Sequence, residues 1–336
     1  MEGLNLNQIG VSFKGSGSYL PNQILTNQKI SKKVDTSDEW IRSRTGIIKR
    51  HVVSQNEATS DISTKIAKSL LKKSGISAKE IDLIIIGTIT PDHFTPSTAA
   101  LVQKNIDALN AWGFDLSAAC SGFLFGLETG SNFIKSGKYK KVMVIGIDIM
   151  TSILDYSDRD TCVIFGDGGG GVILEPCDKD FGIIDTLLHM DGNGGRYLNI
   201  PGGGSRSPSS FESIKNKEHF VKQDGKTVYK YAVKGMADVS KRLLEKNCIS
   251  GNKIKLFIPH QANKRIIDAA AKRCGIAPER VMVNIQNYGN TTAGTIPIAL
   301  NEASEKKMIT EGDLILMSSF GAGFTWGSIL LKWKTL

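Results

Sequence analysis

The sequence predicts an α/β fold made of two similar halves. Strand-like and helix-like stretches alternate along the 336 residues. The second half then reuses the order of the first. In the first half, strands are predicted at IDLIIIGTI (81–89), WGFDLSA (112–118), KKVMVIGID (140–148) and CVIFGDGGGGVILEP (162–176). Helices are predicted at DISTKIAKSLLKKSG and SGFLFGLETGSNFIKSG. In the second of these, Phe123, Leu124, Leu127, Phe133 and Ile134 recur at helical spacing.

The repeat is visible stretch by stretch. KIKLFIPHQAN parallels IDLIIIGTITPDH. NTTAGTIPIALNEASEKKMITEGDLILMSSFG parallels CSGFLFGLETGSNFIKSGKYKKVMVIGID. GFTWGSILLKW parallels CVIFGDGGGGVILEP. Each time a small-residue turn opens a helix, a charged turn follows, and an apolar strand comes next. The period is far too long for a solenoid, so a duplicated domain with a pseudo-twofold axis is expected. Its halves are 1–180 and 181–336, with a mobile insertion at about 191–225, where DGNGGRYLNIPGGGSRSPSS has no counterpart.

Composition narrows the function classes. The chain is 40% hydrophobic and 22% charged, which is globular. Its longest apolar runs are strand-length, well short of the ~20 residues of a membrane helix. MEGLNLNQIG lacks the basic start and apolar stretch of a secretory signal. A soluble, cytoplasmic protein with no membrane partner is expected. The five cysteines form no C-x-x-C pair and the five histidines no H-x-x-x-H, so neither a disulfide framework nor a metal site is expected. The net charge of +9 suits a phosphate-bearing ligand or an acidic protein. No nucleic-acid motif accompanies it.

DLSAACSGF (115–123) places Cys120 at the turn between a predicted strand and a predicted helix. Free N–H groups and the positive end of the helix dipole stabilise a thiolate there, and the same N–H groups can hold an oxyanion. On this stretch alone Cys120 reads equally as a nucleophile or as a small buried thiol. FIPHQANKRIID places His260 at the end of an apolar strand. NIQNYGNTTAGTIPIAL places Asn290 in a small-residue turn before a helix. Singly, these fit a core histidine and a turn residue. Together they occupy equivalent strand ends of a duplicated fold, where open α/β sheets carry their chemistry.

DLSAACSGF, IPHQAN, NYGNTTAG and FGAGFTWG, with TSDEWIRSRTGI (36–47) and DRDTCVIFGDG (158–168), resemble the signatures of β-ketoacyl-acyl-carrier-protein synthase III. This is the initiating condensing enzyme of type II fatty acid synthesis, in the thiolase superfamily. The resemblance runs from about Val11 to Trp333. It implies a thiolase-like fold, five-layered α-β-α-β-α, and a catalytic Cys120, His260 and Asn290. Cys120 would take an acyl group from coenzyme A (CoA), and His260 and Asn290 would hold the enolate formed when malonyl-acyl carrier protein loses carbon dioxide. The backbone N–H groups of Cys120 and Ala322 would form the oxyanion hole. Many relatives carry glycine at the Ala322 position. Asn290 in NYGN separates this chain from elongating condensing enzymes, which carry a histidine there. No cysteine follows Cys274, which separates it from thiolases.

The resemblance further implies CoA binding by Trp40, Arg44, Arg159 and Asn263. It puts Thr95 and Phe94 at an acyl pocket reached across a homodimer, where many short-chain members carry phenylalanine at the Thr95 position. It gives an acyl-carrier-protein dock at Lys230, Arg265, Lys272 and Arg273. The thioesters are substrates, and no cofactor or metal is implied. GDGGGG (166–171) lacks the Lys-Ser/Thr of a phosphate loop and reads as tight strand packing. Rival readings are a related condensing enzyme of secondary metabolism, a chalcone-type synthase whose late loop differs from FGAGFTWG, a non-catalytic acyl-carrier-binding subunit and a basic nucleic-acid binder. The intact Cys, His and Asn argue against the non-catalytic subunit.

Overall fold

A computed structural model describes residues 9–334. Two mixed sheets face each other across a pair of buried helices, and further helices cover both outer faces. The first sheet runs Gly10–Tyr19, Asp167–Cys177, Val142–Ile149, Leu83–Gly87, Trp112–Leu116. The second runs Gly182–Met190, Thr325–Lys332, Leu314–Gly321, Leu256–Pro259. Read in that order, both sheets pair antiparallel, antiparallel, then parallel. A single parallel bridge, Phe257 to Val281, stands where the first sheet has its fifth strand. The strand parallels read from the sequence therefore hold in three dimensions.

Leu83–Gly87 and Val142–Ile149 are buried throughout, as expected of strands covered on both faces; the first is an unbroken apolar run, and the second also buries Asp148. Between the sheets lie helices Gly122–Lys135 and Thr295–Glu305. Phe123, Leu124 and Leu127 of one, and Ile296, Ala299 and Leu300 of the other, share a core with Val144, Leu174, Ile258, Met317 and Ile329 of the sheets. Thr59–Ser74 covers the first sheet with Ile62, Ile66, Ala67 and Leu70 and ends at Gly75 in the left-handed conformation. Gly225–Lys246 and Lys264–Arg273 cover the second.

Two stretches differ from expectation. The strand placed at 162–176 begins only at Asp167. Before it, Asp158 caps a short helix, Arg159–Cys162, through its side chain. The 191–225 insertion is not bare loop. It holds the turn Gly192–Tyr197, the helix Phe211–Lys215 and a two-stranded ribbon pairing Leu198–Asn199 with Lys222–Gln223. Among the described residues, no helix is long and apolar enough to cross a membrane.

Each central helix is entered through one 3₁₀ turn, Ala119–Ser121 or Thr292–Gly294, whose first residue is left-handed: Ala119 at φ 47° and Thr292 at φ 48°. The two turns touch. Gly146, in the neighbouring strand, leaves room for the second, since a Cβ there would run into the Ala293 carbonyl oxygen and come within 3.0 Å of Phe123 Cβ. Gly146→Ala is expected to cost about 1–3 kcal/mol through overpacking, read as a lower urea midpoint at unchanged slope. An unchanged midpoint would show that the turn can yield.

Candidate active site

Cys120 follows strand Trp112–Leu116 and sits in the turn that opens helix Gly122–Lys135. The opposite half of the chain pins this turn. Ser319 Oγ donates to the Cys120 carbonyl at 2.8 Å, Thr325 Oγ1 donates to the Ala118 carbonyl at 2.9 Å, and Ser121 Oγ donates to the Thr325 carbonyl at 3.2 Å. Gly321 lies directly against it, since a Cβ there would be 2.7 Å from the Cys120 nitrogen. Cys120 is only 7% exposed. Burial, and then the carboxylate of Asp148, push its thiol well above the usual range, opposed by a hydrogen bond from its own amide. Cys120 is thus held as a thiol, although the helix terminus alone would favour thiolate.

Asn290 is held the other way round. Its N–H donates to the Ile164 carbonyl and its carbonyl accepts from the Gly166 N–H, both at 3.0 Å, so first-half residues fix its backbone. Its Oδ1 accepts the Thr292 N–H at 2.8 Å, which leaves the side-chain NH₂ for a ligand. The following turn is tied to Asp148, whose carboxylate accepts from Thr292 Oγ1, from Thr88 Oγ1 and Thr90 Oγ1 at 2.9 Å, and from the Ile89 N–H at 2.8 Å. Burial raises the Asp148 pKa, and these donors, Thr292 first, oppose the rise.

His260 directly follows strand Leu256–Pro259, where its N–H donates to the Ser318 carbonyl at 2.7 Å. Its Nδ1 lies 2.6 Å from Thr295 Oγ1, and its buried Nε2 has no protein partner. Burial lowers its pKa to about 3, so the ring is neutral at physiological pH. Gln261, also buried, ties this turn to the next segment. Its side chain donates to the Pro259 and Met282 carbonyls and accepts from the Asn284 N–H.

The three side chains line one cavity of about 770 Å³, shared with Trp40, Arg44, Arg159, Asn263, Lys230 and Arg265. The Arg159 guanidinium lies 4.9 Å from the Trp40 ring centre, and Arg265 lies 5.0 Å from that of Tyr229. Asn263 caps helix Lys264–Arg273 by accepting from the Arg265 N–H and donates to the Arg44 carbonyl, each at 2.9 Å. Both its polar ends are thereby engaged. Among the described residues, no ion pair involves Arg44, Lys226, Lys230 or Arg265. Lys226 also lines the cavity and was not singled out by any sequence motif.

The remaining candidates lie elsewhere. Lys272 is exposed and outside the cavity, and Arg273 is paired with Asp238 at 2.6 Å. Ala322 lines a second cavity of about 410 Å³ that also opens onto Cys120, among Ile89, Met150, Ile200 and Val221. Phe94, 90% exposed, and Thr95 line neither cavity of their own chain. Among the described residues, no group of His, Cys, Asp and Glu is placed to hold a metal ion.

The neutral His260 has a consequence for stability. Its pKa is about 3 in the folded chain and ~6.5 when unfolded, so the unfolded chain binds one more proton between these values. The His260 contribution is complete above pH ~6.5 and is lost as pH falls, at roughly 1.4 kcal/mol per pH unit. Urea unfolding between pH 7.5 and 5 is expected to show a steeper loss for the native chain than for His260→Gln. Parallel curves would contradict a buried neutral ring.

Known proteins resemble this chain over nearly its whole length. Residues 114–192 match the family model described as 3-oxoacyl-[acyl-carrier-protein (ACP)] synthase III, and residues 244–333 match the model of its C-terminal part. The beta-ketoacyl-[acyl-carrier-protein] synthase III of Chlorobaculum tepidum is 53% identical over 322 residues, covering 95% of this chain and 98% of the relative. That of Koribacter versatilis is 50% identical over 319 residues, covering 94% and 96%. The crystal structure of 3-oxoacyl-[acyl-carrier-protein] synthase III from Aquifex aeolicus matches with a TM-score of 0.90 at 42% identity, covering 96% of this chain and 100% of that one. Such neighbours bear out the thiolase-like architecture expected from the motifs. At these identities over nearly its whole length, the chain belongs to the β-ketoacyl-acyl-carrier-protein synthase III family.

Proposed function

We propose that this chain joins an acyl-CoA primer, acetyl-CoA foremost, to malonyl-acyl carrier protein. The products are 3-oxoacyl-acyl carrier protein, carbon dioxide and CoA, and the step opens fatty acid synthesis. One observation carries this reading: Cys120, His260 and Asn290 come from three separate turns to a single cavity, whose exposed end bears unpaired cations and the Trp40–Arg159 stack. Its buried end suits a thioester, and its exposed end suits a phosphorylated nucleotide and an acidic carrier.

In the first half-reaction the Cys120 sulfur attacks the thioester carbon and CoA leaves, so the kinetics are ping-pong. Trp40 and Arg159 flank the adenine, with Arg44 at the phosphates. Asn263 acts chiefly by holding Arg44 and the start of helix Lys264–Arg273. The acyl chain enters the second, largely apolar cavity. Phe94 and Thr95 contribute to that pocket of a partner subunit in a homodimer, which gives the exposed Phe94 a covered place. In the second half-reaction, malonyl-acyl carrier protein docks on Lys230 and Arg265, with Lys226 beside them. Lys272 and Arg273 form the outer rim of the dock. Decarboxylation moves charge onto the thioester oxygen, which receives the Asn290 NH₂ and a protonated His260 Nε2. The carbanion attacks the acyl-cysteine, and the Cys120 and Ala322 amides hold the resulting oxyanion.

Mass spectrometry after incubation with acetyl-CoA is expected to show one acetyl group on the native chain and none on Cys120→Ala. An adduct on the alanine variant would remove Cys120 from the reaction. Asn290→Ala is expected to lower malonyl decarboxylation by ~10²–10³, as for other oxyanion donors, and acylation far less. Lys230→Glu with Arg265→Glu is expected to raise KM for malonyl-acyl carrier protein and to flatten its salt dependence. Equal losses in both half-reactions would show that these cations are not the carrier dock.

A further inference from the structure

Thr295 is the first residue of helix Thr295–Glu305 and is 3% exposed. Its hydroxyl has two neighbours: the Thr292 carbonyl oxygen at 3.1 Å and His260 Nδ1 at 2.6 Å. A carbonyl can only accept, and we assign the one hydroxyl proton to the Thr292 carbonyl; the reverse arrangement, donation to Nδ1, is the alternative that the ¹⁵N spectra below test. Such a bond to the carbonyl three residues back is a common threonine habit at helical positions. The Thr295 oxygen must then accept from His260, which places the ring proton on Nδ1. A neutral imidazole has one N–H, so Nε2 is left as a bare lone pair. That atom is buried and without a protein partner, and it belongs to a ring lining the Cys120 cavity.

We propose that Thr295 is a positioning residue that fixes the Nδ1–H tautomer of His260, so that Nε2 takes the thiol proton of Cys120 when the acyl group is transferred. The proposal rests on the roles assigned above to Cys120 and His260. The Cys120 S–H bond breaks and its proton joins Nε2, while the sulfur forms a bond to the thioester carbon. The carbon–sulfur bond to CoA breaks, its electron pair stays on the CoA sulfur, and that sulfur takes a proton from solvent. His260 is now protonated at both nitrogens, with Nδ1–H still donating to Thr295. Its new Nε2–H is the donor the enolate oxygen needs in the second half-reaction. When the acyl group leaves Cys120, the proton returns to the sulfur. One proton thus serves both half-reactions, and the cycle consumes one solvent proton, as the decarboxylative condensation requires. Burial disfavours the cationic ring, and the arriving malonyl carboxylate supplies the opposite charge.

Thr295→Val keeps the shape and removes the hydroxyl, whereas Thr295→Ser keeps it. Without an acceptor for Nδ1–H, the ring favours the tautomer protonated at Nε2. That form still donates to an enolate but cannot accept the thiol proton. In rapid-quench mass spectrometry, Thr295→Val is expected to slow acetylation of Cys120 by about 10²-fold, a typical general-base contribution, with decarboxylation of malonyl-acyl carrier protein changed by no more than about threefold. Thr295→Ser is expected to restore acetylation. ¹⁵N spectra of histidine-labelled native protein, with His260→Gln for assignment, are expected to show Nδ1 protonated and Nε2 bare. The proposal is overturned if both half-reactions of Thr295→Val fall together, if neither changes, if serine fails to rescue, or if the proton is found on Nε2. Native-rate acetylation by His260→Ala would likewise overturn the proposal, whereas native-rate decarboxylation by that variant would remove the enolate role assigned above to His260 instead.

Discussion

The site depends on a reciprocal clasp between the two halves. The Cys120 turn belongs to the first half, yet Ser319 and Thr325 of the second hold its carbonyls. The Asn290 turn belongs to the second half, yet Ile164, Gly166 and Asp148 of the first hold it. Each half supplies the other with the partners that its left-handed entry, at Ala119 or Thr292, leaves unmet. Neither turn has its observed geometry without the opposite sheet behind it. The close approach of Gly146 to Ala293 and of Gly321 to Cys120 brings the sheets near enough for these bonds to form.

The clasp also excludes water, and this sets the electrostatics. Cys120 is held as a thiol, His260 as a neutral ring, and Asp148 is surrounded by donors that satisfy its oxygens. The resting site therefore contains little free charge. In the proposed mechanism, charge develops there only as a substrate brings its thioester, where fixed N–H groups in a low-dielectric surrounding stabilise it more than water would. The mouth has the opposite character, with exposed, unpaired lysines and arginines in a solvent-screened region. Buried, uncharged groups and exposed cations thus lie at opposite ends of one cavity.

Much of this was legible in the residues, for identifiable reasons. Buried strands such as Leu83–Gly87 announce themselves as unbroken apolar runs, and the duplication repeats the signal. Cys120 and His260 follow strands Trp112–Leu116 and Leu256–Pro259, as their sequence context suggests, whereas Asn290 follows the short helix Ile285–Tyr288 and not the strand end that the repeat led one to expect. Other features carry no local mark. Asp148 reads as the polar end of VIGID, and only the fold brings Thr88, Thr90 and Thr292 around it. Thr295 reads as an ordinary helix-opening residue until His260 is seen beside it. Helix Gly225–Lys246 follows a Gly- and Ser-rich insertion that masks its start, and the pairing of Arg273 with the distant Asp238 leaves no mark in the sequence.

The two 3₁₀ turns are pseudo-equivalent, and the position matching Cys120 in the second is Ala293. A strictly symmetric molecule would carry a sulfur at both and would have to place its hydrogen-bond donors somewhere else. Losing the sulfur from one turn frees that half to present Asn290 and His260 to the sulfur of the other. On the role proposed for Cys120, this division of labour fixes the loading capacity: a chain built from two copies of one design holds one covalent guest at a time. That guest is then discharged before another is accepted, so strict alternation between donor and acceptor follows from the asymmetry of the duplicated fold.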